Sequence, residues 1–109
     1  MSDISNLQKE VLAFRDARDW AQFHNAKDLS IGLSIEANEL LEQFLWKKST
    51  EGNPLNIKEE LADVMIYALL IAHEQNIDIA EAIREKLHKN AAKYPVDKAK
   101  GKSTKYDQL

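Results

Sequence analysis

The 109 residues suit a single domain, and a content of 44% hydrophobic and 30% charged residues is typical of a globular rather than a disordered chain. The absence of cysteine excludes disulfides and thiolate metal sites, and the net charge of −3 argues against a general binder of nucleic-acid polymers. Neither a signal peptide nor a bilayer-spanning apolar run is found, so we expect a cytoplasmic protein with no membrane partner.

Four segments with helical periodicity follow one another, and neither period-2 alternation nor a hairpin turn predicts a strand. The predicted helices run from Ser5 to Phe23, Ser30 to Lys47, Asn56 to Glu74 and Ile79 to Tyr94. The third helix is apolar almost all round from Leu61 to Ala72, which indicates a central position. Because short connections favour antiparallel neighbours, the predicted fold class is all-α, a four-helix bundle.

Asp78, followed by Glu81 three residues later, predicts a capping box at the start of the fourth helix, and Pro95 ends that helix. Residues 1–95 are expected to form the domain, and residues 96–109 a polar, lysine-rich tail. Each helix has an apolar face predicted to be buried, with members that include Leu7, Phe14, Leu41, Phe44, Ile83 and Leu87. A unit this small often buries more surface by pairing with a second copy, so a homo-oligomer is expected.

Acidic residues form two stripes on the second and third predicted helices. Glu36 and Glu39 are three residues apart and share one helix face, while Glu42 projects toward solvent. Glu60 and Asp63 have the same spacing on the third helix. A single Glu-x-x-Glu usually marks a solvated face, but the paired pattern E-x₂-E-x₂₀-E-x₂-D is much less common by chance.

Asp63 lies within an otherwise uncharged apolar segment, and a buried carboxylate needs a cation or several hydrogen-bond donors. Glu60 adds a second negative charge one turn earlier, and carboxylates at this density repel one another unless a multivalent cation lies among them. All-oxygen ligation selects Mg²⁺ or Mn²⁺. Since Mg²⁺ takes its remaining ligands from waters and phosphates, the pattern predicts a phosphorylated ligand.

The fourth predicted helix has a stripe of hydrogen-bond donors, Lys86, Asn90 and Lys93, which flanks its apolar face. Cationic and amide donors in one line suit phosphate oxygens. The alternative is that the lysines extend along a surface and keep their ammonium groups in water. The residues alone leave both interpretations open.

Aromatic residues lie beside the acidic stripes. Trp46 and Tyr67 continue the two stripes and could stack on a nucleobase, or they could pack in a core or an interface. Trp20 and His24 are close together at the end of the first predicted helix. His24 is either a base contact or a histidine at a helix end, and the sequence alone favours the second.

Four segments carry a resemblance to a known family: RDWAQFH, SIEANELLEQFLW, KEELADVMIYALL and NAAKYPVDKAKGKSTKYDQL. They make the chain similar to the MazG-like all-α NTP pyrophosphohydrolases, closest to the dCTP pyrophosphatase branch. The family signature E-x-x-E…E-x-x-D falls on Glu36, Glu39, Glu60 and Asp63. One departure is Ala26-Lys27-Asp28 in place of the expected Pro-x-Asn, which affects base selectivity more than the metal site.

The resemblance implies that the four carboxylates bind Mg²⁺ and that a nucleoside triphosphate is cleaved between its α- and β-phosphates. The products would be a monophosphate and pyrophosphate, with dCTP or a modified dCTP as substrate. The resemblance also implies a homodimer or a dimer of dimers. It places seven residues near the nucleotide, the last two toward the base: Trp46, Tyr67, Lys86, Asn90, Lys93, Trp20 and His24.

The predicted chemistry needs charge neutralisation and positioning rather than a protein nucleophile. One glutamate of the second helix, Glu36 or Glu39, would orient or deprotonate the attacking water. An alternative of another class is a non-catalytic helical module that binds a basic partner in an acidic groove and needs no divalent metal. An apolar environment for Asp63 favours the enzyme, because an electrostatic docking surface has no reason to bury a carboxylate.

Overall fold

A computed structural model describes residues 3–109, and over that range it contains helices and no strand. The α-helices are α1 (Asp3–Ala17), α2 (Ala26–Glu42), α3 (Pro54–Glu74), α4 (Ile79–Lys93) and α5 (Val96–Ala99), with short 3₁₀ helices at Ala21–Phe23 and Tyr106–Gln108. The predicted all-α class is confirmed. The chain forms two compact units, residues 3–77 and Asp78–Leu109.

The starts of α2 and α3 are fixed by asparagine caps. The Asn25 side chain accepts a hydrogen bond from the Asp28 backbone N–H at 2.9 Å, so α2 begins at Ala26, four residues before the predicted Ser30. Asn53 caps α3 in the same way, and Pro54 occupies the first turn, where its missing N–H costs nothing. Because of these caps, both helices begin earlier in the chain than the apolar periodicity predicts.

The C-terminal ends of α1 and α2 differ from the predictions. α1 ends at Ala17 instead of Phe23 because Asp19 adopts a left-handed backbone, with φ 54°, and the Trp20 N–H bonds back to the Arg15 carbonyl at 3.1 Å. α2 ends at Glu42, and turns lead to Trp46, whose φ is 63°. The prediction that Trp46 continues the helical stripe of Glu36 and Glu39 is therefore wrong.

Within residues 3–77, α3 is the central helix, since both α1 and α2 pack against it. The Gln8 amide on α1 donates a hydrogen bond to the Leu69 carbonyl on α3 at 2.9 Å. The buried apolar residues are Leu29, Leu69, Leu70 and Ala72. The predicted central position of the third helix is thus confirmed, and its C-terminal half provides most of this small core.

Most of the predicted buried faces are exposed in the single chain, and that part of the prediction is wrong. Leu7 is 53% exposed and Phe14 54%, and on α3 Leu61 is still 51% exposed. In the second unit Leu87 is 62% exposed. Leu41 and Ile83 are also exposed, while Phe44 is half-buried. The physical reason is that one small chain has too few neighbouring elements to cover every apolar stripe.

The second unit begins with Asp78 as the N-cap of α4, since its carboxylate accepts a hydrogen bond from the Glu81 N–H at 3.1 Å, which is one of the two bonds of the predicted capping box. The lysine-rich tail is partly helical, and Tyr106 packs edge-on against Tyr94 with ring centroids 6.0 Å apart. None of the helices in residues 3–109 has the length and apolar character needed to cross a membrane. The cytoplasmic location stays a prediction.

Candidate metal centre and adjoining cavity

Three of the predicted carboxylates converge where α2 packs on α3. One carboxylate oxygen from each of Glu36, Glu60 and Asp63 lies within 4.8 Å of the other two. The i, i+3 spacing of Glu60 and Asp63 directs both toward α2, where Glu36 approaches from the facing helix. Asp63 is half-buried rather than buried, because it borders a cavity instead of the apolar core.

Glu39 belongs to the same acidic cluster. Burial raises the pKa of Glu36 to about 7, with further contributions from a side-chain hydrogen bond to Glu39 and from the charges of Glu39, Asp63 and Glu60. The pKa of Glu60 is also raised, first by its side-chain hydrogen bond with Glu39 and then by burial. The four predicted residues therefore interact as one electrostatic group, and Glu42 lies exposed outside it.

Two oxygens of the cluster are buried without a hydrogen-bond partner among residues 3–109, Glu36 Oε2 and Glu60 Oε2. Unpartnered buried carboxylate oxygens are costly, and a hard cation is the ligand that satisfies them. Oxygens bound to Mg²⁺ at about 2.1 Å are at most about 4.2 Å apart. The observed 4.8 Å limit is slightly wider, so small rotamer adjustments would close the cluster around such an ion. The donor set fits Mg²⁺ or Mn²⁺.

A cavity of about 460 Å³ adjoins the carboxylates and extends toward the end of α1. Five predicted site residues border it: Glu36, Asp63, Trp20, His24 and Tyr67. Its remaining walls are mostly apolar. The same cavity is therefore bordered by two acidic residues that could bind a metal and by the three aromatic residues predicted to lie near a nucleotide. Such a cavity suits a ligand that has a charged group at one end and a planar ring at the other.

Other predicted site residues are not brought to this cavity. Trp46 is fully exposed after the end of α2. Lys86, Asn90 and Lys93 lie on α4 in the second unit, where the Lys93 ammonium is 4.8 Å from the centroid of the Tyr106 ring. Asn90 is half-buried and Lys86 is exposed. Their roles toward a nucleotide stay predictions.

Sequence reasoning missed Arg15, which is only 8% exposed and also borders the cavity. Its guanidinium contacts Asp16 at 2.9 Å and Glu74 at 3.3 Å. Arg15 follows Val11 by four residues and therefore shares the apolar face of α1, which is a signal that could have identified it. Its acidic partner on α3 is 59 positions away, so the pairing itself has no local signature.

Gly32 on α2 provides the space for the Tyr67 ring. A Cβ added at position 32 would overlap the ring carbons of Tyr67. The ring thus lies directly against the α2 backbone while it borders the cavity. This is a case where close approach, rather than an unusual backbone angle, requires glycine.

We expect Gly32→Ala to destabilise the protein by about 1–3 kcal/mol, because the ring must move to avoid the new methyl group. Thermal unfolding measures the change, with Ser34→Ala on the exposed side of α2 as the control. Combining Gly32→Ala with Tyr67→Ala should recover part of the loss in a double-mutant cycle. If Gly32→Ala instead increased the stability by about 1 kcal/mol, as this substitution does in an exposed helix, the result would contradict the contact between the Tyr67 ring and α2.

Three kinds of comparison with known proteins each find similar ones. A family model described as MazG-like matches residues 31–109. The chain is 36% identical to dCTP pyrophosphatase 1 of Mus musculus and 35% identical to that of Homo sapiens, in each case over 100% of this chain and 67% of the relative. A crystal structure of a pyrophosphatase from Archaeoglobus fulgidus is similar with a TM-score of 0.80 and 36% identity, over 87% of this chain and 94% of that one.

Proposed function

Since the chain belongs to the MazG-like family and is a nucleotide pyrophosphohydrolase, we propose that it cleaves dCTP, or a cytosine-modified dCTP, to the monophosphate and pyrophosphate in a Mg²⁺-dependent reaction. The observation that carries the proposal is the convergence of Glu36, Glu60 and Asp63 beside the aromatic cavity, the cavity of about 460 Å³ that Trp20, His24 and Tyr67 border. The choice of cytosine rests on the name of the mammalian relatives.

The residues that would hold Mg²⁺ are Glu36, Glu39, Glu60 and Asp63. When bound, the ion supplies positive charge for the phosphate oxygens. Glu36 or Glu39 accepts a proton from water as the water oxygen forms a bond to the α-phosphorus. The bond between the α-phosphorus and the bridging oxygen breaks, and pyrophosphate leaves with that oxygen. Trp20, His24 and Tyr67 hold the nucleoside in the cavity. The roles of Lys86, Asn90 and Lys93 toward the phosphates, and of Trp46 near the nucleotide, stay predictions from the family resemblance.

A panel of canonical and cytosine-modified dNTPs, incubated with the full chain with and without Mg²⁺, tests this function. We expect pyrophosphate and a monophosphate in equal amounts, with the fastest release from a cytosine nucleotide and none without a divalent ion. Release of no pyrophosphate from any nucleotide would overturn the proposal. Nucleotide binding that needs no divalent metal, without turnover, would favour the non-catalytic helical module.

The four-helix bundle stays a prediction from the sequence, and we also propose that the protein assembles as a homodimer or a dimer of dimers. Large exposed apolar side chains on α3 support a second copy as the covering partner, since Leu61 is 51% exposed and Met65 48%. These two residues belong to an apolar surface that continues through Ile57, and patches of this kind mark protein interfaces. Lys58 borders the same surface and keeps it from being wholly apolar.

Light scattering should give a mass at least twice that of the 12.5 kDa chain. We expect Leu61→Glu to lower that mass, because the carboxylate would be buried in the interface without a partner. The exposed substitution Glu59→Gln on the same helix is the matched control and should leave the mass unchanged. A wild-type mass equal to one chain would contradict the assembly.

A further inference from the structure

Arg15 is the only buried charged residue among residues 3–109, and it is also the only lysine or arginine that borders the aromatic cavity. It lies on α1, as do Phe14 and Val11, which border the same space. A buried guanidinium must have its donors satisfied, so its position in the cavity wall calls for an explanation. Asp16 and Glu74 contact the guanidinium, but these contacts do not explain why Arg15 borders the cavity.

Those two carboxylates hold the guanidinium from outside the cavity. Arg15 Nε donates to Asp16 at 2.9 Å and Nη1 donates to Glu74 at 3.3 Å, and neither acid borders the cavity. The Nη2 amino group makes no hydrogen bond within residues 3–109 and is not one of the fully enclosed polar atoms. Carboxylates therefore hold two of the three guanidinium nitrogens, and Nη2 is the donor group that they leave free.

The charge balance indicates what this donor can bind. Two acidic partners already neutralise the guanidinium, so its remaining N–H groups suit a neutral acceptor better than a phosphate. Of the three acidic residues that border the cavity, Glu36 and Asp63 belong to the metal cluster, which is where phosphates are expected, and Glu10 lies on α1 with Arg15. Arg15 is thus suited to the base of a nucleotide rather than to its phosphates.

We propose that Arg15 is a specificity-determining residue whose Nη2 group donates a hydrogen bond to the N3 and O2 acceptor edge of cytosine, an inference that rests on the proposed function. Arginine has five donors and no acceptor. Cytosine presents an acceptor at N3, whereas uracil and thymine present an N–H there that would oppose the guanidinium. Asp16 and Glu74 position Arg15 without contacting the base.

The test compares kcat/KM for dCTP and dUTP in the full chain and in Arg15→Met. We expect the dCTP preference to fall by about tenfold or more, chiefly through slower dCTP cleavage, because a site that binds a polar group by hydrogen bonds loses discrimination when the partner is removed. The ratio is unaffected by a change in the folded fraction, which lowers both rates equally. The matched control is Glu42→Gln, at an exposed residue of α2 that does not border the cavity, and it should retain the wild-type ratio.

Should Arg15→Met fail to fold, Arg15→Lys keeps the charge but lacks the planar fork, and the same fall in the ratio is expected. An unchanged ratio in the folded variant would overturn the proposal and assign Arg15 a structural role only. Titration with dCMP and dUMP provides a readout that does not depend on turnover: the wild type should prefer dCMP, and the variant should not. If the wild type cleaves no nucleotide but shows that preference, the proposed function fails while the role of Arg15 stands.

Discussion

Replacing Asp63 by Asn will lower kcat/KM for the preferred nucleotide by at least about 100-fold and leave the helical circular-dichroism spectrum unchanged. Loss of a residue that only supports metal ligands already costs about 10–100-fold, so loss of a ligand should cost at least as much. The amide side chain would keep the size of the carboxylate but remove the charge that the cation requires. Because Asp63 is half-buried at the cavity edge, the fold should tolerate the change.

Isothermal titration with Mg²⁺ and steady-state kinetics measure the two consequences of Asp63→Asn. The matched control is Glu59→Gln, an exposed carboxylate on α3 outside the cluster. The control should bind Mg²⁺ and turn over as the wild type does. Full activity of Asp63→Asn with unchanged Mg²⁺ binding would contradict the metal-ligand assignment.

The metal-free protein should lose stability as the pH rises from about 5 to 8. The pKa of Glu36 is raised from 4.5 to about 7 in the folded chain, so between these values the folded state binds a proton that the unfolded state has released. The contribution of Glu36 to the free energy of unfolding is therefore largest below pH 4.5, and it is lost as the pH rises through about 7. Allowing for solvent screening, we expect a loss of about 1 kcal/mol, which corresponds to about 4–8 °C in Tm.

Thermal unfolding in the presence of a chelator, at several pH values, measures this loss. Added Mg²⁺ should restore Tm at pH 8, since a ligand that binds only the folded state stabilises it. Glu36→Gln should raise the metal-free Tm at pH 8 and flatten the pH dependence, whereas Glu42→Gln on the exposed face of α2 should do neither. A metal-free Tm that rises between pH 5 and 8 would contradict the effect of the raised Glu36 pKa on stability.

The sequence predicted the acidic centre well because helical spacing is local. The i, i+3 spacing places Glu36 and Glu39 on one face of α2, and it does the same for Glu60 and Asp63 on α3. Because each acidic pair lies beside the apolar stripe of its helix, both pairs meet where α2 packs against α3. The start of α2 could also have been predicted from Asn25 and Asp28, whose side chains are joined by a hydrogen bond of 2.8 Å at the helix cap. The apolar periodicity instead placed the start of this helix later in the chain.

Features that depend on distant residues were not predictable. The pairing of Arg15 with Glu74 joins α1 to α3 across 59 positions, and the need for Gly32 arises only when the Tyr67 ring is in place. The left-handed backbone at Trp46 ends the stripe that periodicity would have continued. The apolar pattern identified which faces avoid water, but not which element covers them, so Leu61 and Leu87 were assigned to a core that the single chain does not close.

The most direct test of the central claim, that the carboxylate cluster supports cleavage between the α- and β-phosphates, is ³¹P NMR of dCTP incubated with the full chain and Mg²⁺. We predict that the triphosphate signals give way to the signals of dCMP and pyrophosphate in equal amounts, and that Asp63→Asn leaves the spectrum of dCTP unchanged over the same period. Formation of dCDP and inorganic phosphate, or cleavage that proceeds equally well in Asp63→Asn, would contradict the account.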